Sequence, residues 1–310
     1  MFWEYNNYFS TPIPEKFQLS GIIRPTPLYQ LNYTASKGER ENIWIKDESA
    51  NPTATHKDRS FQYWVSYWHM QDTPELVISS SGSAAKSAAY YCKLASIKLH
   101  IFVRKDFPED RLRYLKQFPI SILHQSNTPK KEAFQWSKNH HIPYLRASVD
   151  SLAIEGYKTL AFELAKEYGE VEEIFVPTSS GATIAGLYAG YKILEQQNIQ
   201  IPRIYCVQTT MVHPIAEIFD KEFTPEKEHP ARAVIDRIAH RKNEILHILN
   251  NTKGGGYIIS KQELSTTEQA IENPSRKFGP ESLLTFAAVQ KHRTIHPQHR
   301  NAKTICIATN

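Results

Sequence analysis

From about residue 43 onward, short β-branched or apolar runs alternate with longer segments of helical periodicity. That order admits little besides a parallel sheet crossed by helices, because each strand must be followed by a crossover before the next can pair with it. The clearest strands are expected at 76–80, 99–103, 174–176, 203–207 and 304–308, and helices at 84–95, 109–118, 130–139, 157–168, 183–196 and 282–291. The fold class is therefore α/β. A chain of 310 residues exceeds what one core usually holds, so two lobes are expected. Residues 76–145 carry a self-contained strand–helix series. They predict a smaller lobe over 61–149, with 1–60 and 150–310 forming the larger one. The segment 220–230, rich in charge and proline, reads as a surface loop.

Several function classes are excluded at this level. The formal net charge of +5, from 37 Lys and Arg against 32 acids, is scattered along the chain and is an ordinary solubility charge; nucleic acid is not implied. The three cysteines, Cys92, Cys206 and Cys306, form no close pair, which predicts neither a disulfide framework nor a zinc site and fits a reducing cytoplasm. The N-terminus lacks a signal-peptide pattern and no apolar run is long enough to span a bilayer, so no membrane association is expected. His292, His296 and His299 cluster in a polar stretch broken by Pro297 and read as solvated surface, so no metal is expected. Gly254-Gly255-Gly256 reads as a loop, and neither G-x-G-x-x-G nor a Walker pattern occurs.

Three segments carry chemistry. Asn51-Pro52 makes a turn, and the chain then enters an aromatic helical pattern, which puts Lys57 at a helix start. The partial positive charge there, together with desolvation, favours a neutral amine, the form a Schiff-base nucleophile needs. Alone, His56-Lys57-Asp58-Arg59 reads more simply as a solvated charged tetrapeptide. Next, strand 76–80 breaks at Ser80-Ser81-Gly82-Ser83 directly before an alanine-rich helix. Its unpaired backbone N–H groups and hydroxyls suit a carboxylate, although helix capping by a serine explains them equally well. The same logic repeats at Ser179-Ser180-Gly181-Ala182-Thr183 after strand 174–176, where small residues let an anion such as phosphate approach the backbone.

In succession these blocks resemble the threonine synthase branch of the fold-type II pyridoxal-phosphate enzymes, which also holds threonine dehydratases and the tryptophan synthase β-chain. Arg24-Pro25-Thr26-Pro27-Leu28, Lys46-Asp47-Glu48, Asn51-Pro52-Thr53, Lys57-Asp58-Arg59 and Glu155-Gly156-Tyr157-Lys158-Thr159 all look like family blocks in the correct order. The resemblance implies two open, twisted, mostly parallel sheets flanked by helices, with a mobile smaller lobe and a larger cofactor-binding one. It implies pyridoxal 5'-phosphate carried on Lys57, its phosphate held by Ser179, Ser180, Gly181, Ala182 and Thr183, and its pyridine nitrogen met by Thr309. Ser80, Ser81, Gly82 and Ser83 would meet the substrate carboxylate, and Ser148 and Asp150 would contact the rest of a small amino acid. A homodimer is implied by the resemblance only.

Departures accompany it. Ser83 stands where the family has an asparagine contacting the cofactor, Gly279-Pro280-Glu281-Ser282 lacks the usual glutamate before proline, and Ala153 replaces an arginine that binds substrate phosphate. The expectation is a lyase performing β- or γ-elimination or replacement with an altered substrate site. The alternatives are a true threonine synthase acting on O-phosphohomoserine, and a non-catalytic member that uses the pocket for binding.

Overall fold

The computed structural model describes every residue except Met1, Ile23, 35–37, Glu39, Ser81, 273–276 and Asn310. Its elements run β1 (Leu28–Thr34), β2 (Arg40–Asp47), α1 (Lys57–Met70), β3 (Glu75–Ser79), α2 (Ser83–Ala95), β4 (Lys98–Arg104), α3 (Glu109–Lys116), β5 (Ser121–Ser126), α4 (Pro129–His140) and α5 (Leu152–Glu155). They continue with α6 (Lys158–Tyr168), β6 (Glu173–Pro177), α7 (Ala182–Glu195), β7 (Arg203–Thr209), α8 (Lys242–Asn251), β8 (Gly255–Ile259), α9 (Lys261–Ala270), α10 (Pro280–Ile295) and β9 (Thr304–Ala308). The chain divides into two compact units, Met1–Pro25 with Asn51–Gly156, and Thr26–Ala50 with Tyr157–Asn310.

The first unit is built on a parallel sheet of order β3-β4-β5, with Val77 opposite His100 and His100 opposite Ile122. Residues 143–145 extend it, since Val77 donates to Pro143 O at 2.9 Å and receives from Leu145 N–H at 2.8 Å. Side chains alternate along β3. Leu76 and Ile78 join Phe61, Trp64 and Val65 of α1 and Ala85, Ala88, Ala89 and Cys92 of α2, whereas Val77 joins Phe102 and Ala133 under α4. Both faces are covered, which is why β4 is buried throughout 99–103 and apolar there except for His100, whose ring meets Glu75 and His124. The alanines of α2 let it lie close against α1; a bulkier row would push the two helices apart.

The second unit holds a six-stranded sheet of order β1-β2-β9-β6-β7-β8, parallel except for the antiparallel edge pair β1 and β2. Phe175, Tyr205, Tyr257, Cys306 and Ala308 share a core with Leu283, Leu284, Phe286 and Ala287 of α10. The alternate residues Ile174, Val176, Ile204, Cys206 and Ile305 are equally buried, so this sheet too is covered on both faces.

Two sequence expectations change here. Gly255 and Gly256 open β8 and are buried, where a loop was expected, because they pair with Tyr205 and Cys206 and the short run beyond them continues the same strand against Val207, Gln208 and Thr209. His292 is 1% exposed, where solvated surface was expected; α10 continues past Lys291 to Ile295 and carries that histidine into the interior.

Gly156 marks the tightest backbone approach in the first unit. A Cβ there would stand 1.8 Å from the carbonyl oxygen of Arg59, so the connection out of α5 passes directly over α1. Gly156→Ala must separate the two backbones, and overpacking of this kind costs about 1–3 kcal/mol or more. A lowered urea midpoint with an unchanged slope is expected; an unchanged midpoint contradicts the packing described.

Candidate active site

In the first unit, Lys57 opens α1 and is half-buried. The turn before it is locked from several sides. Asn51 Nδ2 donates to Thr55 O at 3.2 Å, and Ala54 takes a left-handed φ of 61° while its N–H reaches Asn51 O. Thr53 gives Asp58 two hydrogen bonds, from its N–H at 2.7 Å and its hydroxyl at 2.6 Å. The same hydroxyl lies 2.9 Å from Ser87 Oγ of α2, so the starts of α1 and α2 are pinned to each other. His56 is buried. Burial, then the charges of Lys57 and Arg59, hold its pKa well below the usual imidazole value. A neutral imidazole thus stands beside Lys57, where an imidazolium would crowd two cations.

After β3 the chain passes Ser80 and reaches Gly82, whose N–H approaches Ser80 Oγ at 3.4 Å; α2 then begins at Ser83, with Gly82 at its N-cap position. Ser81 lies outside the described residues. A Cβ added to Gly82 would meet nothing within 4 Å, so the space before this helix start is open. Ser148 is half-buried. Asp150 accepts from Leu152 N–H at 2.9 Å and so turns one carboxylate oxygen to the start of α5. Ala153 is fully buried in the core, and its carbonyl accepts from Ser60 Oγ at 2.7 Å.

In the second unit, chain order sets the location. From β6 the chain moves outward to β7 and β8, then returns to the other side of β6 as β9, so the direction of winding reverses between β6 and β9. In open α/β sheets, ligands bind beyond the carboxyl ends of strands at such a reversal. There the segment Ser179, Ser180, Gly181 leads into α7, and Thr309 follows β9. Gly181 has φ 88°, and a Cβ on it would lie 2.5 Å from Ile245 Cγ1; only glycine fits. Gly181, Ala182, Thr183 and Ile184 are all buried, yet among the described residues no side chain caps this helix start. Ser179 Oγ accepts from the N–H groups of Asp236 at 3.2 Å and Ile235 at 3.4 Å, leaving its own proton to donate.

Three residues near this turn were missing from the sequence expectations for the site. Ser282 Oγ donates to Thr309 O and accepts from Thr309 N–H, both at 2.9 Å, and so fixes the chain after β9. Glu281 accepts from Ala233 N–H at 2.9 Å and steadies the loop that Ser179 also holds. Arg241, 8% exposed, brings its Cβ to within 3.8 Å of where a side chain on Gly181 would begin. Glu281 and Ser282 were legible as part of a motif, although Ala233, the partner of Glu281, is 48 residues away; Arg241, whose guanidinium pairs with Glu244 one turn along, gave no signal for the turn at Gly181.

A model of the family described as pyridoxal-phosphate dependent enzyme matches residues 19–309. The chain belongs to the fold-type II pyridoxal-phosphate-dependent enzymes. It is 24% identical to a threonine synthase of Methanocaldococcus jannaschii, over 99% of this chain and 79% of that protein. It is 23% identical to a biosynthetic L-threonine dehydratase of Haemophilus influenzae, over 92% of this chain and 56% of that one. The structure of maize serine racemase superposes with a TM-score of 0.74 at 15% identity, covering 92% of this chain and 88% of that one, a likeness of fold. Among the described residues no helix is long and apolar enough to cross a membrane.

The family's cofactor, pyridoxal 5'-phosphate, joins an aldehyde to a phosphate dianion. The groups present suit it. A buried helix start whose N–H groups lack a side-chain cap, flanked by the hydroxyls of Ser179, Ser180 and Thr183, is a donor set for a dianion, and Lys57 offers the primary amine an aldehyde requires.

The burial of His56 generates a pH prediction. Its folded-state pKa lies below the unfolded value of about 6.5, so below that pH the unfolded chain takes up a proton the folded one refuses. Stability contributed by this site is present above about pH 6.5 and falls as the medium is acidified towards pH 5. Denaturant titrations at pH 7 and pH 5 are expected to show a smaller loss for His56→Gln than for the wild type. An equal loss in both would remove His56 from the account.

Proposed function

We propose that the protein is a lyase of this family, performing elimination or replacement at Cβ or Cγ of a small amino acid that carries no phosphate. Ala153 carries the reading. Where threonine synthases are expected to hold an arginine for the substrate phosphate, this chain has a methyl group that is 0% exposed, and nearby Asp150 contributes negative charge. Binding a phosphate needs charge-assisted donors, of which a bidentate arginine is the strongest.

When bound, pyridoxal phosphate supplies an electron sink that acidifies the Cα–H of an attached amino acid. The chain's own groups have the remaining work. Lys57 tethers the cofactor through its amine and serves as the proton carrier at Cα, in a position held by the Thr53, Asp58 and Ser87 contacts. The start of α2, with Ser80, Ser81, Gly82 and Ser83, receives the substrate carboxylate. That grip orients the amino acid so that one bond to Cα is presented for cleavage. The backbone N–H groups of Gly181, Ala182 and Thr183 and the hydroxyls of Ser179 and Ser180 hold the cofactor phosphate. The Thr309 hydroxyl, set by Ser282, meets the pyridine nitrogen without delivering a proton to it. Ser148 and Asp150 line the substrate side chain.

The whole-chain similarity to the M. jannaschii protein favours the second reading, a true threonine synthase. Steady-state kinetics separate the two. Losing one charged hydrogen-bond partner costs about 1.5–3 kcal/mol, roughly one to two decades. Thus kcat/KM for O-phosphohomoserine is expected to fall at least tenfold below that for the best of serine, threonine and β-substituted alanines. Efficient threonine formation from O-phosphohomoserine would replace the proposal with the second reading.

A further inference from the structure

At the other end of β6, Glu173, His292 and His299 bring three ligating atoms into one triangle. His292 Nε2 lies 3.1 Å from Glu173 Oε1 and 3.0 Å from His299 Nδ1, and His299 Nδ1 lies 3.0 Å from the same Oε1. Hydrogen bonding does not account for all three edges. A carboxylate oxygen brings no proton and each neutral imidazole nitrogen brings either one proton or one lone pair. Three edges need three shared protons, and the ring nitrogens have at most two. If both bring one, protons face each other across the 3.0 Å nitrogen–nitrogen edge. If only one does, that single proton must serve two edges. A cation at the centre would engage a lone pair from every corner.

We propose that Glu173, His292 and His299 form a structural site for a borderline-soft divalent cation, Zn2+ being the best match. Two imidazoles and a carboxylate are ligands typical of that ion, and donors about 2.1 Å from it at roughly tetrahedral angles stand about 3.4 Å apart, a few tenths of an ångström beyond the separations here. The remote atom of two ligands is already held: Tyr257 OH lies 2.6 Å from His292 Nδ1, and Thr304 Oγ1 donates to Glu173 Oε2 at 2.9 Å. Such partners orient metal ligands and fix the tautomer. His292 and Glu173 are buried at 1% and 0%, while the His299 side chain is 26% exposed and gives the ion a way in, with water as a fourth ligand.

One cation already competes for the site. Arg203 donates to Glu173 Oε1 through Nη2 at 3.1 Å and Nε at 3.2 Å. Its side chain is 30% exposed, so an outward turn as the ion enters would leave Arg203 weakening binding without blocking it. Glu173 opens β6 and Thr304 opens β9, whereas the phosphate turn and Thr309 follow the far ends of those strands, about 13 Å away along β6. The ion would therefore take no part in chemistry. It would tie the last turn of α10 and the lead into β9 to the sheet, steadying the helix whose first turn carries Ser282.

The test uses untagged holoprotein incubated with Zn2+, dialysed and assayed for metal by mass spectrometry, with thermal melts alongside. One equivalent per chain is expected, with a midpoint raised by about 5 °C when zinc is a hundredfold above Kd. His299→Ala, the most exposed of the three ligands, is expected to melt with the metal-free wild type and lose both the equivalent and the shift. Arg203→Gln is expected to bind zinc more tightly. Failure of the wild type to retain zinc, or wild-type uptake and shift in His299→Ala, would overturn the proposal.

Discussion

A helix that starts in the protein interior must pass its first free N–H groups to some acceptor, and α7 finds no side-chain cap of its own. The contrast with α9 is instructive. That helix also follows a parallel strand, but Ser260 and Glu263 close it with a reciprocal capping box, leaving little for a ligand to do. At α7 the buried first turn, the left-handed glycine and the neighbouring hydroxyls remain arranged around an acceptor that, among the described residues, no side chain supplies. An anion with several oxygens answers that need better than any single side chain could.

Sheet topology supplies the second constraint. Because β9 returns beside β6, a residue from the end of the chain and a turn from its middle come to the same edge, with Phe175 opposite Cys306 in register. Ser282 then converts that approach into a fixed position by bonding Thr309 through both its N–H and its carbonyl. In the first unit the Thr53 hydroxyl has the corresponding place, joining Asp58 and Ser87 so that the starts of α1 and α2 are held together. Each unit therefore sets its own polar groups with short hydrogen bonds between elements that the hydrophobic core has already aligned.

Much of this was legible in the sequence, and the limits have physical causes. Buried parallel strands such as β6 and β9 announce themselves as apolar runs, 174–176 and 305–308. The edge strand β1 does not, because Gln30, Asn32 and Thr34 face outward and interrupt it. The three helix starts and their small residues were readable because strand, turn and helix signals adjoin. The tertiary partners were not: nothing near Ser179 points to Asp236, and nothing near His292 points to Glu173, 119 residues away. Polar side chains around His292 suggested a surface, whereas α10 buries that ring among Tyr205, Tyr257 and Phe175. Ala153 was noticed as a missing charge, and its burial against Ser60 adds that the position belongs to the packing of α5 on α1.

The central claim is that Lys57, held at the start of α1, bears the cofactor. Borohydride reduction of the holoprotein followed by peptide mapping tests it most directly. The account predicts a pyridoxyl group on the peptide containing Lys57 and no covalent label in Lys57→Ala; a label on any other lysine of the wild type would contradict it.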